Sequence, residues 1–102
     1  MDIDQRIRLL LSTQRALLDA VTPNIRAVLC GHEENAIFIE FIFDDDFSEE
    51  DFDRCELVAT EVIADFSDAV IDARYTVLSP PARIPHDENS LPVYRRFEQL
   101  NV

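Results

Sequence analysis

Lysine is missing from this chain: all nine basic residues are arginine, set against 21 aspartates and glutamates, for a formal net charge of −12. Such a balance excludes nucleic acid and anionic membrane surfaces as partners, because affinity for phosphate arrays comes mainly from cationic neutralisation. Glycine occurs once, at Gly31, which excludes a glycine-rich phosphate cradle and the strained turn of a serine nucleophile elbow. Two cysteines, Cys30 and Cys55, are too few for a disulfide framework. Cys55 falls on the apolar face of a predicted helix and Cys30 ends a predicted strand, so both read as buried thiols. No apolar run reaches the roughly 18 residues of a membrane span, AIFIEFIF being broken by Glu40. The start, MDIDQRIRLL, is acidic before it is apolar and does not read as a secretory signal. The expected location is a reducing cytoplasm.

What is present is the composition of a folded protein, 47% apolar and 29% charged. A chain of 102 residues is expected to form one domain over 1–102 with a modest core. DIDQRIRLLLSTQRALLDAV reads as a helix, with Ile3, Ile7, Leu10, Leu11, Leu17, Leu18 and Val21 at helical spacing and Gln14 the polar exception. Asp2 and Gln5 have the spacing of a capping box, and Thr22-Pro23-Asn24 is the expected stop. IRAVLCG and AIFIEFIF have strand length, with Gly31 and Asn35 bracketing a hairpin turn. Ile37, Ile39, Phe41 and Phe43 are expected to face the core, and Ala36, Phe38, Glu40 and Ile42 a partly wet second face.

A second helix is expected after Ser48, an N-cap answered by Asp51, with Phe47 and Phe52 at hydrophobic-staple spacing. Its apolar stripe is Phe52, Cys55, Val58, Ala59, Val62 and Phe66. DAVIDARYTVLS reads as a third strand ended by Pro80-Pro81, and ARIPHDENSLP as a mobile polar loop. VYRRFE is expected to be a short fourth strand pairing back on the third. The fold class is α+β, order α-β-β-α-β-(β): one layer of mainly antiparallel sheet, three to four strands, with two helices on one face.

Signatures of catalysis are sparse. His32 and His86 sit in polar turns with no nucleophile beside them, and His32-Glu33-Glu34 lacks the second histidine of a zinc helix. Asp44, Asp46 and Ser48 start a calcium-loop pattern, which fails at Glu49, where glycine is needed, and at Cys55, where glutamate is needed. No metal and no cofactor is therefore expected. A small metabolic enzyme or ligand-binding domain, with His32, Glu33, Glu40, Asp72 and Arg74 lining a pocket, is the competing reading. A homo-oligomer joined through Phe38, Ile42 and Val70 is a third.

The stretch FDDDFSEEDFD, Phe43 to Asp53, holds seven carboxylates and no base. Glu49, Glu50 and Asp51 belong to the first turn of a helix, where negative charge meets the positive end of the macrodipole. Asp44, Asp45 and Asp46 gain nothing from that dipole, and a turn needs one aspartate rather than three. A surface of this kind fits a cationic protein partner, since opposed charge accelerates association. The proposed contacts are Asp44, Asp45, Asp46, Glu49, Glu50 and Asp53, with Glu33 and Glu34 in the hairpin as a second site. Asp51 is reserved for capping.

QRALLDAVTPNIRAV followed by FDDDFSEEDFDRCELVATEVIADF resembles small acidic bacterial immunity proteins of the contact-dependent growth-inhibition kind, from about Gln14 to Phe66. The resemblance implies an α+β cytoplasmic protein, not an enzyme, that binds and blocks a cognate toxin. A basic, nuclease-type toxin domain suits the charge.

Overall fold

The computed structural model describes residues 2–34, 36–85 and 87–99. Helix α1 spans Ile3–Ala16 and α2 spans Glu49–Asp65; the strands are β1 (Ile25–Glu33), β2 (Ala36–Phe43), β3 (Val70–Val77) and β4 (Ser90–Arg95). Both capping boxes read from the sequence form. Asp2 accepts the Gln5 amide at 2.8 Å while the Gln5 side chain accepts the Asp2 amide at 3.1 Å. At α2 the Ser48 amide donates to Asp51 at 2.8 Å and the Asp51 amide to the Ser48 hydroxyl at 3.3 Å. Each pairing satisfies amides that a helix start leaves without partners. The end of α1 differs from expectation. It stops at Ala16, well before Thr22, and a turn follows in which Asp19 takes φ 64°. Aspartate tolerates that left-handed backbone, and the chain reverses there into β1.

The four-stranded sheet has the order β3-β2-β1-β4 and is mixed. β1 pairs antiparallel with β2 and with β4, while β2 and β3 are parallel. The parallel pair follows from α2, which carries the chain back along the sheet before β3 begins. The fourth strand is found, but on the opposite edge from the one expected. It pairs with β1, Val28 opposite Tyr94 and Cys30 opposite Leu91, rather than with β3. There Leu91, Val93 and Tyr94 join the core that both helices cover, with Leu9, Val28, Ile39, Phe41, Val58 and Val62 at its centre. Cys30 and Cys55 are buried free thiols in it, pushed up by burial to about 11 and about 12.

With β3 and β4 on opposite edges, the segment between them must cross the second face of the sheet. Leu78 and Ile84 of this strap pack on Ala27, Leu29 and Ile42. Of the ARIPHDENSLP stretch, expected as a mobile loop, Ile84 thus covers the sheet and Ser90, Leu91 and Pro92 begin β4. Phe38 and Ile42, expected on a partly wet face, are 4% and 0% exposed. They are covered by their own chain, whereas Val70, the third residue of the expected oligomer contact, is 68% exposed. The single glycine belongs to this arrangement. Gly31 lies inside β1, not at the turn, and a Cβ there would collide with the Asn89 carbonyl and the Phe38 ring. The hairpin turn is tighter than expected, with Glu34 at φ 48°; Asn35 lies outside the described residues.

Candidate functional site

The acidic stretch leaves the end of β2 and enters α2, and the structure divides its carboxylates into two sets. Asp44 belongs to the scaffold. It is 8% exposed, and it accepts the Arg96 guanidinium at 2.7 Å and the Asp46 amide at 3.0 Å. Arg96 also donates to Glu98 at 2.9 Å and to the Pro23 carbonyl at 2.6 Å. Glu98 in turn holds Arg26 in a two-pronged pair at 2.7 and 2.8 Å, and Arg26 reaches the Leu78 carbonyl at 2.7 Å. A chain of alternating charge, Asp44–Arg96–Glu98–Arg26, thereby ties the acidic loop to β1 and to the segment after β4. Arg26 is 1% exposed, tolerable only because its donors find partners. The Arg26 hydrogen bonds draw the Glu98 carboxyl down to about 2 against the opposing effect of burial, with Arg96 adding to the pull. Bonding to Asp44 likewise holds Arg96 above the ordinary arginine range.

Asp51 is also structural. It is 4% exposed and accepts the Asn24 side-chain amide at 2.8 Å as well as the Ser48 amide. Burial pushes its carboxyl upward, but the hydrogen bonds from Asn24 and Ser48 prevail and it lies below the usual carboxylate range. The remaining acids of the stretch, Asp45, Asp46, Glu49, Glu50 and Asp53, are all exposed. Their one cationic neighbour in sequence, Arg54, pairs with Glu50 at 3.3 Å in the open. Phe47 lies among them, 41% exposed, its ring 5.3 Å from that of Phe43. Phe52 turns instead to Tyr75, ring centres 4.5 Å apart, so the two staple residues use different partners.

Glu33 and Glu34 are not brought to this surface. They occupy the other end of the hairpin, and the eight residues of β2 separate the two sites by about 25 Å at ~3.3 Å per residue. Glu33 is held by Arg74 at 2.7 Å, which lowers its pKa, and Arg74 also takes Asp72 at 2.9 Å while lying 4.4 Å over the Phe38 ring. Glu34 stays exposed at the turn.

The acids of Asp44, Asp45 and Asp46 offer oxygens within 4.8 Å of one another. Of the three, Asp44 already has a cationic partner in Arg96. His32 lies between two open clefts of about 170 and 320 Å³, the first lined by Arg6, Leu9, Glu88 and Asn89, the second by Arg8, Asp65 and Phe66 among others. Neither cleft is lined by Glu33, Glu40, Asp72 or Arg74. Glu40 takes the Thr76 hydroxyl at 2.9 Å. Of the competing enzyme residues, Glu33, Asp72 and Arg74 are joined in the ion pairs described above, with Glu40 opposite Arg74 in the sheet, while His32 lines the clefts apart from them; His86 lies outside the described residues.

Sequence reasoning missed two exposed features. Phe97 is 91% exposed between Arg96 and Glu98, whose ion pairs hold the backbone on either side of it. The residues Ile3, Ile7 and Leu11 of α1, part of the apolar row read from the sequence, are 72%, 48% and 53% exposed. The charged network had one signal in the sequence, an arginine at the head of the apolar run IRAVLC.

Fold and surface describe an α+β scaffold presenting exposed carboxylates, and among the described residues no helix is long and apolar enough to cross a membrane. The chain matches the MafI2 immunity protein family over residues 6–98 and belongs to that family. The resemblance to toxin immunity proteins therefore holds. The match carries the toxin/immunity part of that resemblance, Maf being a related polymorphic toxin system, and does not bear on its contact-dependent growth-inhibition kind. No curated protein matches the chain.

Proposed function

We infer that this immunity protein neutralises a cognate toxin in the cytoplasm, without chemistry of its own, by laying its acidic surface on a cationic face of the toxin domain. A nuclease-type toxin fits best, since a cleft that binds phosphate must be positive. The observation that carries the reading is the separation of the acidic stretch into two sets. Asp44 and Asp51 are turned inward to fix the loop and the helix start, and Asp45, Asp46, Glu49, Glu50 and Asp53 are left unburied on that fixed frame. A loop and helix start already held in place lose little backbone freedom on binding, and the clustered charge raises the association rate. Phe47 and Phe97 are the exposed aromatics placed to slow dissociation. Glu33 and Glu34 are a secondary contact at the far end of the sheet.

The test is stopped-flow association with the toxin domain encoded in the neighbouring reading frame, measured across salt concentrations. The variant is Asp45→Asn/Asp46→Asn/Glu49→Gln/Glu50→Gln/Asp53→Asn, with Asp44 and Asp51 untouched. The association rate at low salt is expected to fall about tenfold or more, with a flatter salt dependence. An unchanged rate and slope would show that the toxin docks elsewhere.

A further inference from the structure

We propose that the apolar stripe of α1 is a self-association surface, and that it pairs antiparallel with α1 of a second copy of this chain. Ile3, Ile7 and Leu11, 72%, 48% and 53% exposed, follow one another at four-residue intervals on the outer face of the helix. Scattered exposed apolar residues need no explanation, but a contiguous helical row is the pattern of a buried contact.

Charge selects the occupant. Arg6, Arg8 and Arg15 accompany this stripe, a concentration of cations unusual in a chain of net charge −12. They disfavour the basic toxin surface proposed above and favour a partner carrying acid at matching positions. At 3.6 residues per turn, Asp4, Arg8 and Arg15 lie along the same flank of the stripe. In an antiparallel pair whose two-fold axis passes at the level of residues 9 and 10, Asp4 of each copy stands opposite Arg15 of the other. Ile7 and Leu11 of the two copies then interdigitate. The flank is self-complementary: the Arg15 side chain is 72% exposed, and its one ion pair among the described residues, to Asp65 of its own chain, is long at 3.9 Å and leaves it within reach.

The acidic surface does not oppose this arrangement strongly. It begins α2, whereas Asp65, which meets Ser12 at 2.7 Å, ends it. The 17 residues of α2 span about 25 Å, roughly three Debye lengths at physiological salt. The 14 residues of α1 are about 21 Å long, so the paired helices reach only the lower end of specific interface sizes. A dissociation constant in the micromolar range is the expectation.

Sedimentation equilibrium of the full chain alone, from about 1 to 100 µM, tests this without any toxin. A monomer–dimer equilibrium is expected. Ile7→Glu and Leu11→Glu should each weaken it about tenfold or more while leaving thermal unfolding of the monomer in place. Asp4→Arg alone and Arg15→Asp alone should each weaken it several-fold, and the two together should restore it, as a self-paired contact requires. A monomer at every concentration overturns the proposal, as does a dimer indifferent to Ile7→Glu and Leu11→Glu or a charge exchange that fails to restore. A monomer that loses toxin capture on Leu11→Glu also overturns it, making the toxin the occupant.

Discussion

In α2 the residues at helical spacing, Cys55, Val58, Ala59 and Val62, are buried on the sheet; in α1 the corresponding row, Ile3, Ile7 and Leu11, stands in solvent. The buried side of α1 is instead Leu9, Ser12, Thr13 and Ala16. Two polar and one small residue take the place of a conventional apolar stripe. Their hydroxyls are satisfied, Ser12 donating to Asp65 at 2.7 Å and Thr13 to the Leu9 carbonyl at 2.8 Å. A periodic pattern therefore establishes that a helix exists without establishing which face turns inward. In α1 the run Leu9-Leu10-Leu11 spreads over about 200° of the helix at 100° per residue, so more than one face qualifies.

The largest effect that would break this comparison lies within α1. Leu9→Ala should cost about 3 kcal/mol in urea unfolding, because Leu9 is 1% exposed, whereas Leu11→Ala should stay within about 0.5 kcal/mol for the monomer. Equal costs would mean that the row at Leu11 is the buried one.

The segment after β4, which neither capping box involves, offers a contrast of nearly the same size. The Glu98 carboxyl is depressed from 4.5 to about 2, so its stabilisation is fully present above pH 4.5 and is lost as pH falls through about 2. At ~1.4 kcal/mol per unit this amounts to about 3 kcal/mol at most. Denaturant unfolding as a function of pH should show that loss in the wild type, and a shallower acid limb in Glu98→Gln. A limb unaltered by the substitution would place the acid sensitivity in other carboxylates.

The caps come next. Ser48→Ala should lower stability by about 1–2 kcal/mol, since its partner Asp51 is 4% exposed, and Asp2→Ala by about 0.5 kcal/mol at an exposed helix start. Chemical denaturation of the two variants side by side measures the difference. The smallest effect is Arg54→Gln, which removes the open Glu50 pair and should change stability by less than about 0.5 kcal/mol.

Local features were legible in proportion to how close their partners lie in the chain. Both capping boxes join residues three apart, and the core face of β2 follows from strict alternation around Ile37, Ile39, Phe41 and Phe43. The edge on which β4 lands was not legible, because VYRRFE has no feature that distinguishes β1 from β3. Nor was the fate of Asp44, whose partner Arg96 is 52 residues away. Of the acids proposed for binding, Asp45, Asp46, Glu49, Glu50 and Asp53 reach the surface expected of them, and Asp44 is withdrawn from it.

By itself the sequence settled the element types, the start of each helix, the strong acidity of the Phe43–Asp53 stretch and the immunity family, all properties of composition or of neighbours along the chain. Only the tertiary structure decided which carboxylates of that stretch are spent on Arg96, Asn24 and Ser48 and which remain free. It also decided that the strap from β3 to β4 packs Leu78 and Ile84 on the second face of the sheet and that the apolar row of α1 points outward. The reason is the same in each case: burial is fixed by partners distant in sequence, and a local pattern does not encode where those partners will be.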